Sequence, residues 1–129
     1  MPSVVQLIRS ASLAETSYAY AATAPADARL VFLAGACPLD DKGATVAVGD
    51  VAGQAAACVA TLRRALSEAA AELTDVLSTR VLVASSRRED LVAAWHVRAD
   101  AFGDHDVPST LLGVTVLGYP DQLVEIEAV

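Results

Sequence analysis

The chain has 129 residues, 54% of them apolar and only 5% aromatic, with a formal net charge of −7 and an isoelectric point near 4.6. That length suits one domain, residues 1–129, with a real core. The acidity argues against a nucleic-acid partner, whose binding rests on Lys and Arg neutralising phosphates. With so few aromatics the core must be built from Ala, Val and Leu, and association would cover the apolar surface such a chain leaves, so a homo-oligomer is expected.

Val4 to Ile8 is β-branched and reads as a short first strand, and the polar segment from Arg9 to Ser17 as a loop. Tyr18 to Thr23 and Arg29 to Gly35 read as the two arms of a hairpin, reversed by the Pro25 and Asp27 turn chemistry between them. Gly35 ends the returning arm where the backbone needs room or a positive φ, either as a strand exit or as a platform beside a ligand. Thr45 to Val48 adds a short extended piece.

Asp50 is placed as the N-cap of a helix whose apolar stripe is Val51, Ala55, Cys58, Leu62, Leu66, Ala69 and Leu73, ending near Glu72. Gln54, Thr61, Arg64 and Glu68 fall largely on its opposite side. Asp75 to Ala84 is the strongest internal strand. Ser86 and Glu89 have capping-box spacing and open a second helix to about Phe102, with Leu91 or Val92, Trp95, Ala99 and Phe102 inward and Gly103 as its stop. The pairs Arg63-Arg64 and Arg87-Arg88 decorate helix surfaces, and His96 flanks the second stripe.

The last part of the chain runs from Pro108 to Leu117, through a Gly-Tyr-Pro-Asp turn, and returns over Leu123 to Val129 as an expected antiparallel strand pair. Alternation puts Leu123, Glu125 and Glu127 on one face and Val124, Ile126 and Ala128 on the other. Glu127 is read as a solvated acid, whereas Glu125, one step deeper, is a candidate proton acceptor if a neighbouring element covers it. His105, between Asp104 and Asp106, leads into this pair and is a candidate site residue, set against the simpler reading of a solvated loop. Cys37 and Cys58 lack the paired spacing of a zinc site, so no metal is expected and both are read as reduced thiols. No run approaches the ~20 apolar residues that span a bilayer, and residues 1–10 lack an export signal. A soluble, cytoplasmic protein with no membrane partner is therefore expected. Strands alternating with two helices describe a two-layer α+β domain with both helices on one sheet face.

The chain also resembles the Rid family of reactive intermediate deaminases, also called YjgF. The resemblance rests on Tyr18; on Val31 to Gly35 with Pro38, Leu39, Asp40 and Gly43; on Gly49, Asp50, Val51 and Gln54; on Asp75 and Val76; on Asp90, Leu91, Trp95, Phe102 and Pro108; and on Leu123 to Ala128. It implies a chorismate-mutase-like α+β fold, a homotrimer with small-molecule clefts between subunits, and hydrolysis of enamines or imines without metal or organic cofactor. It further implies that Glu125 positions or activates water. An arginine that grips the substrate carboxylate in deaminating members is replaced here by Thr110, which offers one neutral hydroxyl. Ala34 and Leu112 also depart from the family, from serine and cysteine respectively. The candidate substrate-binding set is Tyr18, Thr110 and the backbone at Gly35, suited to a largely neutral ligand, with His105 added from its place between Asp104 and Asp106. Two functions follow: hydrolysis of an enamine or imine other than the standard 2-imino acids, or a non-catalytic small-ligand-binding or accessory trimer. The ribonuclease activity attributed to some relatives fits poorly with so acidic a chain.

Overall fold

Apolar residues alternate through residues 79–83 and 124–128, and both runs form strands with one fully buried face. In the computed structural model, which describes residues 3–129, β1 (Gln6–Ile8) and β2 (Ala21–Thr23) make an antiparallel pair. They are followed by α1 (Val51–Glu68), a short 3-10 turn at Leu73–Asp75, β3 (Thr79–Val83), α2 (Arg88–Phe102), β4 (Ser109–Gly113) and β5 (Val124–Ala128). Residues 1 and 2, which the domain expectation includes, lie outside the described residues.

The second sheet has the order β4-β3-β5, with β3 parallel to β4 and antiparallel to β5. Its inner face presents Val81, Val83, Val124, Ile126 and Ala128, all buried, to Ala55, Cys58, Val59, Leu62 and Leu66 of α1 and to Ala94 and Phe102 of α2. Both helices therefore cover one face, as the two-layer α+β reading requires. The outer face carries Arg80, Leu82, Thr110, Leu112, Glu125 and Glu127, none of them buried.

Four local expectations are corrected. β4 and β5 do not pair, because β3 lies between them: the parallel partner β4 has its hydrophobic register met by β3, and the turn at residues 118–121 spans the gap. The arms at residues 18–35 do not form a hairpin. Residues 21–23 pair with β1, while the chain after Leu33 reaches the free edge of β5, where Ala36 and Ile126 exchange hydrogen bonds of 2.7 and 3.0 Å. α1 ends at Glu68 and not near Glu72, since Ala70 takes a positive φ of 59° that breaks the helical repeat. The N-terminus of α2 begins at Arg88, and the serine that serves it is Ser85, which donates to Asp90 at 2.7 Å and accepts from the Arg87 N–H at 3.0 Å; Ser86 and Glu89 form no capping box.

Two polar side chains sit in the interior against expectation. Gln54 is fully buried because its amide has partners there: it donates to Asp121 O at 2.9 Å and accepts from Leu123 N at 2.7 Å, joining α1 to the entrance of β5. Arg98 is fully buried between the rings of Trp95 and Phe102, at 4.9 and 4.7 Å from their centroids. The inward line of α2 is thus Ala94, Arg98 and Phe102, with Trp95 only half-buried beside it.

Candidate functional site

The expected site residues fall into separate places within one chain. The first group forms around Glu125 on β5. Its Oε1 accepts from Gln122 Nε2 at 3.2 Å and from the Cys37 thiol at 3.3 Å. Gln122 is itself buried and held, donating to Val124 O at 3.0 Å and accepting from Tyr119 N at 3.1 Å. The Glu125 Oε2 lies over Gly35, where an added Cβ would stand 2.7 Å from the carboxyl carbon and closer still to the oxygen. Gly35 is therefore required for close approach, not for a positive φ, and the platform reading of this glycine is the one its surroundings match. Among the described residues Oε2 accepts no hydrogen bond, so one oxygen is held and the other is unpaired.

Cys37 answers to the same carboxylate. Burial, then its bond to Glu125 and the nearby negative charge, push its thiol up to about 11, so it acts as a donor and not as a nucleophile at neutral pH. Cys58, fully buried in the core with its thiol against Val124 O at 3.5 Å, is pushed still higher by burial.

The second group gathers at the start of β3 and β4, around a cavity of about 380 Å³ lined by Tyr18, Tyr20, Arg80, Ser109 and Thr110 among others. Tyr18 is set edge-on to Tyr20 and to Trp95, each ring centroid 5.9 Å away, which places it at the cavity wall. Thr110 is exposed and stands beside Arg80 in the register of β3 and β4; on its other side Arg80 faces Glu127 of β5. Behind the cavity floor Arg98 donates through Nε to Thr79 Oγ1 at 3.2 Å and through Nη2 to Val107 O at 3.1 Å. Burial pushes its guanidinium down to about 10, so it stays charged at neutral pH.

His105 joins neither group. Its Nε2 lies 2.8 Å from Val76 O, and since a carbonyl only accepts, this nitrogen carries the proton and ties the loop to the segment before β3. Asp106 beside it forms a two-point ion pair with Arg9, one contact being Nη1 to Oδ2 at 3.0 Å, which holds its carboxyl below the usual range. Thr110 and Glu125 lie on strands separated by β3 and two residues apart in register. Two strand spacings of ~4.8 Å and an offset of two residues at ~3.4 Å each put them about 12 Å apart across the sheet, beyond the reach of one small imine. A larger cavity of about 580 Å³, lined by Val5, Leu30, Leu66, Ala70, Val76 and Val129 among others, contains none of the expected site residues. Among the described residues no three metal-ligating side chains cluster, and no helix is long and apolar enough to cross a membrane.

Sequence reasoning passed over Cys37 as a partner of Glu125, and Gln122 and Arg80 altogether. Only Arg80 carried a signal that could have found it: it is an outward cation in the middle of the strongest strand pattern.

The profile of the Ribonuc_L-PSP family, described as Endoribonuclease L-PSP, matches residues 9–129. Among solved structures, YyfB of Yersinia pestis, a Rid-family protein of unknown function, is similar over 97% of this chain and 96% of its own, with 24% identity and a TM-score of 0.87. Rv2704 of Mycobacterium tuberculosis, from the YjgF/YER057c/UK114 family, is 30% identical over 96% of each chain, with a TM-score of 0.64. YEO7 of yeast shares the fold at 22% identity and a TM-score of 0.70, over 96% of this chain and 95% of its own. No curated protein matches the chain.

Proposed function

Because the chain belongs to the Rid (YjgF) family, whose profile spans residues 9–129, we propose that it hydrolyses an enamine or imine other than the standard 2-imino acids, with Glu125 as the residue that orients and deprotonates water. The observation that carries this reading is the held carboxylate: Oε1 is fixed by Gln122 and Cys37, while Oε2, packed over Gly35, accepts no hydrogen bond among the described residues. A water on Oε2 would pass a proton to the carboxylate as its oxygen attacks the C=N carbon. The same proton, with a second from the new hydroxyl, would leave on nitrogen as ammonia, and the carbonyl product would remain. An enamine enters this sequence after protonation of its carbon terminus to the imine.

Since Glu125 and the Tyr18–Thr110 cavity lie too far apart in one chain for a small substrate to touch both, the reading includes assembly. In a homotrimer the Glu125 group of one subunit would face the cavity of its neighbour, and the substrate would lie between them. Leu30 and Phe32, 55% and 75% exposed, and Val116, 77% exposed, supply apolar surface for such an interface. His105 is left out of the proposed site, because its ring is engaged with Val76.

The alternative, a trimer that binds a small ligand without turnover, is favoured by one observation: Thr110 gives the cavity a neutral hydroxyl on β4. The activity in the family description, cleavage of RNA, is not proposed for this chain. Its net charge is −7, and of the exposed arginine pairs Arg64 and Arg87 are themselves matched with Asp41 and Glu89.

The test is ammonia release from freshly generated 2-aminoacrylate, 2-iminobutyrate and a panel of imines lacking a carboxylate, for wild type and Glu125→Gln. Turnover of a panel member that falls by about a hundredfold or more in the variant supports hydrolysis. Turnover unaffected by the substitution overturns the role of Glu125, and none on any substrate beside measurable ligand binding decides for the alternative.

A further inference from the structure

Gln122 carries an amide that its surroundings admit in one orientation. It is 4% exposed, and its Nε2 donates to Val124 O at 3.0 Å and to Glu125 Oε1 at 3.2 Å, while its own Oε1 accepts from Tyr119 N at 3.1 Å. Both amide hydrogens are therefore spent. Rotating the amide by half a turn would set its oxygen against the Val124 carbonyl and the Glu125 carboxylate, and its NH2 against the Tyr119 N–H. Each of those buried contacts would then lack a donor or an acceptor, so the partners fix the orientation.

The turn that carries this side chain is held from outside β5. Gln122 N donates to Tyr119 O at 3.1 Å, and Asp121 takes a φ of 61°, a left-handed conformation that a residue with a Cβ adopts at a cost. Thr45 Oγ1 donates to Pro120 O at 2.7 Å and Gln54 Nε2 to Asp121 O at 2.9 Å, so Thr45 and α1 each grip one carbonyl of the turn. The Cys37 thiol is a looser restraint on Glu125. Sulfur is a weak donor, and its one proton has two acceptors, Glu125 Oε1 at 3.3 Å and Gly35 O at 3.5 Å. Of the two groups on Oε1, the amide is the one that cannot turn away.

We infer that Gln122 is a positioning residue for Glu125: through the turn at residues 119–122 it transmits the anchorage of α1 and Thr45 to the carboxylate, and keeps Oε2 over Gly35 as the oxygen that meets water. It touches no substrate and acts only through Glu125. A glutamate left to its own torsions visits several rotamers, and a reacting group misplaced by about 1 Å can lose a hundredfold in rate. The second hydrogen of the amide separates this role from plain turn closure. Tyr119 N and Val124 O account for the turn, and the remaining N–H goes to the carboxylate. The inference deepens the proposed function, on which it rests for the reaction.

The experiment compares wild type with Gln122→Met, which keeps the length and removes the donors, and with Gln122→Glu, which keeps an acceptor for Tyr119 N and sets a second carboxylate beside Glu125. Circular dichroism melts check the fold, and if Gln122→Met does not fold, Gln122→Glu carries the test. Side-chain carbon couplings in 13C-labelled protein read the rotamers of Glu125. Ammonia release from 2-aminoacrylate, 2-iminobutyrate and benzophenone imine reads kcat and KM. Wild type is expected to hold Glu125 in one rotamer and Gln122→Met to average several, with kcat lower by about tenfold or more and KM within about twofold. In Gln122→Glu activity should fall away at a higher pH than in wild type, because two carboxylates at hydrogen-bond distance cannot both ionise. A residue that only closed the turn would lower the melting temperature and leave rotamers, kcat and pH profile unchanged, and that result overturns the inference. So does an unchanged kcat in a variant whose Glu125 is averaged. Should wild type release no ammonia from any of the three, the hydrolytic reading fails alone, and the rotamers of Glu125 still decide whether the amide holds it.

Discussion

Glu125 and Cys37 form the most informative pair of side chains in the molecule, because each reports on the other. The thiol is a donor to the carboxylate, and both its bond to Glu125 and the charge there add to burial in holding it up near 11. At pH 8 only about one thiol in a thousand is then ionised, since three units separate pH from pKa. Replacing Glu125 by Gln removes the charge and leaves only a neutral, weaker acceptor beside the unchanged burial, so the thiolate fraction rises. Alkylation of Cys37 by iodoacetamide at pH 8 should be slow in wild type and several-fold faster in Glu125→Gln, while buried Cys58 stays silent in both. Equal rates in the two proteins would mean that the carboxylate does not face the thiol in solution. Gly35 belongs to the same constellation: it is the residue whose missing Cβ leaves Oε2 its place.

At the scale of elements, the N-terminal end of α1 is secured by two side chains with different fates in a sequence reading. Asp50 was legible as an N-cap, and its Oδ1 accepts from Gly53 N at 3.0 Å. Asp50→Ala should cost about 1 kcal/mol, or a fall of roughly 4 °C in Tm for a chain of this size, measured by thermal denaturation. No change would mean that water replaces the cap without loss. Gln54, one turn on, falls largely on the side opposite the apolar stripe when the helix is read from its periodicity. Its partners, Asp121 O and Leu123 N, are 67 and 69 residues away in sequence, and nothing local announces them. The same reason separates β4 from β5: each pattern was readable as a strand, but the strand inserted between them comes from 26 residues earlier, Val83 preceding Ser109.

For the whole molecule, the separation of Glu125 from the Tyr18–Arg80–Thr110 cavity ties the proposed activity to assembly. The segment before Gly35 carries Leu30 and Phe32, and the connection after β4 carries Val116, each more than half exposed. Phe32→Asp is expected to shift the sedimenting species from trimer to monomer with helix content retained, and to abolish turnover in the same sample, because the two groups would no longer meet. A variant that sediments as a monomer yet keeps wild-type turnover would refute the intersubunit cleft.

The sequence by itself determined the two-layer α+β class, the two helices, the buried and outward faces of β5, and the family. All of these rest on periodicity and on ordered local matches, which the chain carries within windows of a few residues. Only the tertiary structure decided that β3 separates β4 from β5, that residues 21–23 pair with β1, and that Gln54 and Arg98 are interior. It alone also placed Arg80 between Thr110 and Glu127. Those are matters of which distant groups satisfy one another, and a buried polar side chain is stable only once its partners are in place.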